Sequence, residues 1–302
     1  MFWKRKPKKQ DGQEATDSAA EERESAEDVE EEAASAVSED TAKTSDDVAE
    51  GDSAEDTADE SAGAADDGGT EGESEDEAPA DVFADDTEEP GVTGPDGDGI
   101  TRVRASGSFE FDGQTYEIVS NTWIVQADDE GVVVIDPGYD PEAILKAVGD
   151  REIYLVACTN GYTPHIEGAL RVAEEAEAEI ALHPREMRAW RRRHGAERRP
   201  EIEVEGQGAF DIGDLHIDVL ALPGTSPGTV GYYISQLGVV FSGDTLRKGE
   251  PGMVGDTYID YTTQLASIGE SLLSLPPTTR ILPDSGPATT SGAESKNFDD
   301  WV

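Results

Sequence analysis

The 302-residue sequence contains one cysteine, Cys158, so no intrachain disulfide can form. It has four histidines, at positions 165, 183, 194 and 216, which caps the number of imidazoles available to any metal site. No apolar run approaches the ~18 residues that a membrane span needs, so the chain is expected to be soluble. The first ten residues, Met1 to Gln10, hold five cations but lead into no apolar stretch, so no secretory signal is expected and the cytoplasm is the expected location. Lysine is also scarce: beyond residue 100 there are three, against thirteen arginines.

Acidic residues abound. The formal net charge is -45, and residues 1–100 carry 35 Asp and Glu against 7 Lys and Arg. That stretch is mostly Ala, Glu, Asp, Ser, Gly and Thr and buries too little apolar surface to offset the entropy of ordering it. The composition predicts a disordered acidic low-complexity segment over 1–100, opening on a short basic cluster, and a folded domain over 101–302. The domain itself holds 33 acidic and 16 basic residues. Dense acidity with little lysine suits a salt-rich cytoplasm, where it maintains solubility under strong screening.

Within the domain, short apolar runs at 121–125, 131–136, 153–158 and 179–183 predict strands. Asp140 with Pro141 and Gly149 brackets a helix that has Ile144, Leu145 and Val148 on one face. A helix is predicted from Pro164 through Ala176 with Thr163 as its cap, others at 184–194 and 262–275, and Cys158 as a small core residue. Strands and helices interleaved in this way indicate an α/β layered fold.

The loops between these elements are more specific. Val-Ile-Asp-Pro-Gly (134–138), Thr-Asn-Gly-Tyr-Thr-Pro-His-Ile-Glu-Gly-Ala (159–169), Leu-Pro-Gly-Thr-Ser-Pro-Gly-Thr (222–229), Phe-Ser-Gly-Asp-Thr-Leu (241–246) and Leu-Pro-Asp-Ser-Gly-Pro (282–287) follow one another in order. In that order they resemble the metallo-β-lactamase superfamily, and within it the glyoxalase-II-like hydrolases. The resemblance implies a four-layer αβ/βα sandwich with its site along one sheet edge and zinc as the family cofactor. It also assigns ligand positions, most of which hold other residues here. Asn160 and Tyr162 stand where the first two histidines belong, Pro164 replaces an aspartate, Thr225 and Ser285 replace two further histidines, and only His165 and Asp244 keep their identity. Asp284 and Cys158 lie near motif positions and are candidates to supplement that pair.

A catalytic zinc needs about three protein ligands and an open position for water. With His165 and Asp244 as remnant metal ligands, no bound cofactor is expected, and without one nothing lowers the pKa of water or polarises a carbonyl. The reading is a non-catalytic binding or regulatory module whose cleft, formed by Asn160, Tyr162, His165, Thr225, Asp244 and Ser285, takes a small polar or anionic ligand, helped by the N–H groups at the start of the Pro164 helix. The alternative is an atypical ester or thioester hydrolase with a mononuclear or weak metal site. A third reading makes the acidic segment the working part.

Arg188, Arg191, Arg192 and Arg193, followed by Arg198 and Arg199, form a basic cluster in an acidic chain. It invites an anionic contact, for which the chain's own acidic segment or local pairing to Glu186, Glu197 and Glu201 is favoured. Nucleic acid is not expected, since Trp190 is the sole interleaved aromatic. His183, His194 and His216 read as structural or solvated.

Overall fold

The computed structural model describes residues 81–302; the acidic low-complexity stretch before Asp81 and the basic cluster at Met1–Gln10 lie outside the described residues. The first sheet has seven strands in sequential order: β1 (Gly91–Thr93), β2 (Ile100–Phe111), β3 (Gln114–Gln126), β4 (Gly131–Ile135), β5 (Glu152–Ala157), β6 (Glu179–Leu182) and β7 (Ile202–Glu203). The second is built from β8 (Ala209–Ile212), β9 (Leu215–Ala221), β10 (Val230–Ile234), β11 (Val239–Gly243), β14 (Arg280–Pro283) and β15 (Thr289–Thr290), in the order β15-β14-β11-β10-β9-β8. A two-stranded ribbon, β12 (Leu246–Arg247) with β13 (Glu250–Pro251), leaves its edge.

Residue parity sets the layers. In β4, Val133 and Ile135 enter a core shared with Val219, Tyr232 and Phe241 of the second sheet, while Val132 and Val134 enter a separate core under the helices. That second core receives Ile144 and Val148 from α1 (Pro141–Val148), Val172 and Ala173 from α3 (Ala169–Ala176) and Trp190 from α4 (Met187–His194). On the far side of the second sheet, Leu222, Val240 and Ile281 pack on Ile268 and Leu272. These two belong to a π-helical turn (Ile268–Leu272) that continues α5 (Tyr261–Ser267). The chain closes with α6 (Ser291–Glu294). Helix, sheet, sheet, helix is the four-layer αβ/βα sandwich expected from the loop order.

Helix α1 forms as its caps dictate: the Asp140 carboxylate accepts from Ala143 N at 3.0 Å and Gly149 ends it. Two expectations need correction. Residues 163–176 form two helices, α2 (Thr163–Ile166) and α3, with Tyr162 rather than Thr163 in the cap position. The break comes where Gly168 presses on the turn after β4: its N–H donates to Pro137 O at 2.9 Å, and a Cβ there would lie 2.7 Å from Gly138 O. A four-residue helix offers no sustained dipole, which removes the anion-binding argument based on it.

The folded unit also begins before residue 100. Phe83 is fully buried and meets Trp123 edge-on at 5.2 Å. Arg102 donates to Phe83 O at 3.0 Å and to Asp85 at 2.6 Å, while Arg280 pairs with Asp96 and Asp98 at 2.7 and 2.8 Å. Residues 81–99 share the acidic composition of the preceding segment, but these few anchors outweigh it.

Candidate functional site

Four loops reach the site because the strands preceding them run in parallel. β4 pairs parallel with β5, and β11 with β14, so each pair delivers its carboxyl ends to the same edge. Asp136 follows β4, Thr159 and Asn160 follow β5, Asp244 follows β11 and Asp284 follows β14. Asp136 adopts a left-handed backbone (φ 50°), which turns its carboxylate under the β5 loop.

His165 lies at the centre, almost wholly buried. Its Nδ1 is 3.0 Å from Asp136 Oδ2, and since a carboxylate only accepts, the Nδ1 proton points there. Asp136 is further held by Thr159, through N at 2.7 Å and Oγ1 at 2.7 Å. The opposite nitrogen, Nε2, faces Asp244 Oδ2 at 3.7 Å and Asp284 Oδ2 at 3.8 Å, beyond hydrogen-bond range of either.

The two outer carboxylates are themselves engaged. Asp244 Oδ1 accepts from Asn160 Nδ2 at 2.9 Å and from Thr225 Oγ1 at 2.7 Å. Asp284 accepts a two-pronged contact from Arg247 of β12, Nε to Oδ1 at 3.0 Å and the terminal nitrogen to Oδ2 at 2.9 Å. Three buried carboxylates thus surround one imidazole and one guanidinium.

The electrostatics follow from that arrangement. Burial alone would pull the imidazole below its ordinary 6.5, but the charge and hydrogen bond of Asp136, reinforced by Asp244, hold His165 well above it. Burial would raise Asp244, yet the facing imidazolium, Thr225 and Arg247 keep it below the ordinary 3.8. Burial would likewise lower Arg247, and Asp284 and Asp244 more than reverse this, so it stays a guanidinium. Cys158 is buried beside this cluster; burial and the charge of Asp136 push its thiol well up, so it is an inert core residue.

Of the six residues expected in the cleft, Tyr162, His165, Asp244 and Ser285 line it, joined by Arg247 and Asp284. Asn160 and Thr225 are not lining residues: both lie behind Asp244, fully buried, and orient its carboxylate. Tyr162 spans the two loops by donating from its hydroxyl to Thr225 O at 2.9 Å, and Ser285 donates to Val119 O at 3.0 Å. Asp284 was a candidate supplementary ligand; it is instead committed to Arg247. Sequence reasoning missed Arg247, although it directly follows the Ser-Gly-Asp-Thr-Leu run, and quoted Asp136 without giving it a role.

A second buried carboxylate supports these loops. Glu186 accepts from Gly161 N at 3.1 Å, from Gly228 N at 2.9 Å and from the Ser226 hydroxyl. It therefore faces inward and does not pair with the basic cluster, and Glu201 likewise accepts from Ile180 N at 2.9 Å. The pairs that do form are Arg193 with Glu167 and Arg198 with Glu174. Arg188, Arg191 and Arg192 are exposed and have no acidic partner among the described residues. The remaining histidines are structural: His183 accepts from Arg185 N, His194 bonds Ile166 O and His216 bonds Asp211.

Comparison with known proteins bears on this edge. The family model described as "Metallo-beta-lactamase superfamily" matches residues 115–284, more than half of the chain. The chain belongs to that superfamily. It is 31% identical over 185 residues to the Bacillus subtilis (strain 168) protein named "Probable metallo-hydrolase YqgX", covering 57% of this chain and 87% of that protein. It is 25% identical over 195 residues to "Hydroxyacylglutathione hydrolase GloC" of Haemophilus influenzae (strain ATCC 51907 / DSM 11121 / KW20 / Rd), covering 59% and 90%. Among solved structures, the "BLEG-1 B3 metallo-beta-lactamase" aligns at 28% identity and TM-score 0.55, over 61% of this chain and 95% of that one. "TTHA1623 in a di-iron-bound form" aligns at 31% and 0.51, over 60% and 94%.

Metals are thus implied by the superfamily, and the donor set here fits them poorly. Among the described residues no group of three or more His, Cys, Asp or Glu side chains is arranged to hold an ion. His165 spends Nδ1 on Asp136, Asp244 spends Oδ1 on two donors, and Asp284 faces a guanidinium whose charge repels a cation. Asn160, Tyr162, Thr225 and Ser285, which the loop resemblance sets at imidazole positions, are bonded to protein partners.

Proposed function

We propose that this member of the superfamily is a metal-independent binding or regulatory module, whose cleft holds a small polar ligand instead of hydrolysing one. The observation that carries this reading is the two-pronged Arg247–Asp284 pair beside His165, which supplies from side chains the positive charge that buried carboxylates otherwise take from an ion. Protein donors to Asp136, Asp244 and Asp284 leave few lone pairs for coordination. Without an ion, the family route to an activated water is lost, a matter of several kcal/mol of barrier.

The names of the relatives favour a second reading, a metal-dependent hydrolase of esters or thioesters with one weakly held ion. Mass spectrometry of metal in protein purified without chelators or a His tag separates the two, alongside turnover of a hydroxyacylglutathione thioester with and without added Zn²⁺ or Mn²⁺. The module reading expects well under one ion per chain and no metal-stimulated turnover. Two bound ions per chain would sink it, and one ion with turnover abolished in Asp244→Ala would establish the hydrolase.

A further inference from the structure

Seven of the 16 basic residues beyond residue 100 fall between positions 185 and 199, in a domain with 33 acidic residues. On α4, Arg188 stands three and four positions before Arg191 and Arg192, a spacing at which like charges repel. Among the described residues none of the three has an acidic partner. Arg191 and Arg192 lie in the last turn, where they answer the carbonyls of the helix end, but Arg188 lies in the first turn, where the helix dipole disfavours a cation. The fold alone does not account for this face.

Beside Arg192 the helix borders a groove of about 560 Å³, with the β2–β3 hairpin on its other side. Ala189, Arg192 and Arg193, one face of α4 by their spacing, line it together with Phe109 and Phe111 of β2 and with Tyr162. The Phe111 and Tyr162 rings meet edge-on at 6.0 Å, which gives the groove an aromatic surface. Small residues bring the helix close: a Cβ on Gly161 would lie 2.8 Å from the Ala189 side chain. Glu186, bonded to Gly161 N and Gly228 N, pins the start of α4 to these loops, so Arg192 projects from a fixed base six positions on. Arg193 is spent on Glu167. Glu110 is the one carboxylate lining the groove, and no ion pair joins it to Arg192 among the described residues. The charge of Arg192 reaches the Tyr162 phenol, whose pKa is pushed up by burial, Asp244 and Glu186 and drawn back by this guanidinium.

We propose that this groove is an anion site, distinct from the carboxylate floor around His165, that takes one phosphate or carboxylate group carried on a compact aromatic body, with Arg192 holding the anion. A guanidinium presents parallel N–H donors that match two oxygens of either group, and its exposure leaves them free to do so. The rings of Phe111 and Tyr162 receive the body. An ammonium group is repelled here, and a bare anion leaves the aromatic surface unused. Phe109 and Tyr162 line both this groove and the cleft, so its occupant rests against the cleft's outer wall. The site goes beyond the module reading and holds whether or not an ion binds at His165.

Phenyl phosphate, phenylacetate, inorganic phosphate and 2-phenylethanol test this when titrated into the full chain at one ionic strength while amide chemical shifts are followed. Phenyl phosphate and phenylacetate should give saturable shifts at residues 108–115, 161–163 and 189–193, at an affinity about fivefold or more above inorganic phosphate and the alcohol; the tighter of the two names the preferred anion. Arg192→Gln should weaken that binding about fivefold, and Arg191→Gln, on the same helix but outside the groove, by less than about twofold. Equal losses in the two variants would reduce the site to a diffuse field. Equal binding of inorganic phosphate or of the alcohol, shifts centred instead on 244–247 and 284–285, or no saturation with either aromatic anion overturns the assignment.

Discussion

Two carboxylate sites flank the loop at 159–163, and they are neutralised in opposite ways. Glu186 is surrounded by dipoles, two backbone N–H groups and a hydroxyl, with no cation in contact. Asp136, Asp244 and Asp284 are balanced chiefly by formal charges, the imidazolium of His165 and the guanidinium of Arg247. Dipoles fixed in a backbone fit one loop geometry and serve as scaffolding. Charges on side chains can be answered by different partners, and here Asp284 is answered by the two-pronged contact from Arg247.

The largest test of that contrast is Arg247→Met. It leaves Asp284 buried and unanswered, and breaking one side of such a pair costs about 3 kcal/mol, read as a lower denaturant midpoint. Adding Asp284→Asn should recover most of the loss; a double variant no better than the single one would mean that the two residues do not act as a pair. Glu186→Gln comes next. It keeps one acceptor oxygen and loses the other, so about 1–2 kcal/mol is expected, without the rescue by a second-site charge that the Arg247 variant shows.

The smallest effect is in pH dependence, where only the charged site should respond. The raised His165 contributes stability that is complete below its ordinary 6.5 and is lost as pH rises through the higher folded value. The lowered Asp244 contributes stability present above 3.8 and lost as pH falls through its folded value. Unfolding free energy measured against pH should therefore fall off on both sides of mildly acidic conditions, and His165→Asn should flatten the alkaline limb. An unchanged alkaline limb in that variant would remove His165 as its source.

Much of this was legible in the sequence because it is local. The order of five loop motifs specifies the sandwich, and the caps at Asp140 and Gly149 specify α1. Identities at 160, 162, 225 and 285 raise the expectation of an unusual site. What could not be read was pairing at a distance. Arg247 meets Asp284 across 37 positions only because β11 and β14 run parallel. Glu186 meets Gly228 across 42 and lies in a run of charges that suggested pairing with the neighbouring arginines. The 12-residue strand β2 and the first half of β3 went unread because burial is strong mainly toward the Ile100 end of β2 and over 120–125 of β3, while the hairpin tip over the cleft is largely exposed. The break at Gly168 depends on the turn at Pro137, a contact that helical periodicity does not encode.

Trp123 gives these comparisons an optical handle. Its indole is buried between the sheets, touches Phe83 and Phe241, and donates from Nε1 to Pro283 O, one residue before Asp284. Any rearrangement that draws Asp284 away from Arg247 must tug on that carbonyl, so in a variant with the other three tryptophans, Trp3, Trp190 and Trp301, replaced by Phe, the emission wavelength of Trp123 registers strain at the cleft floor without a label.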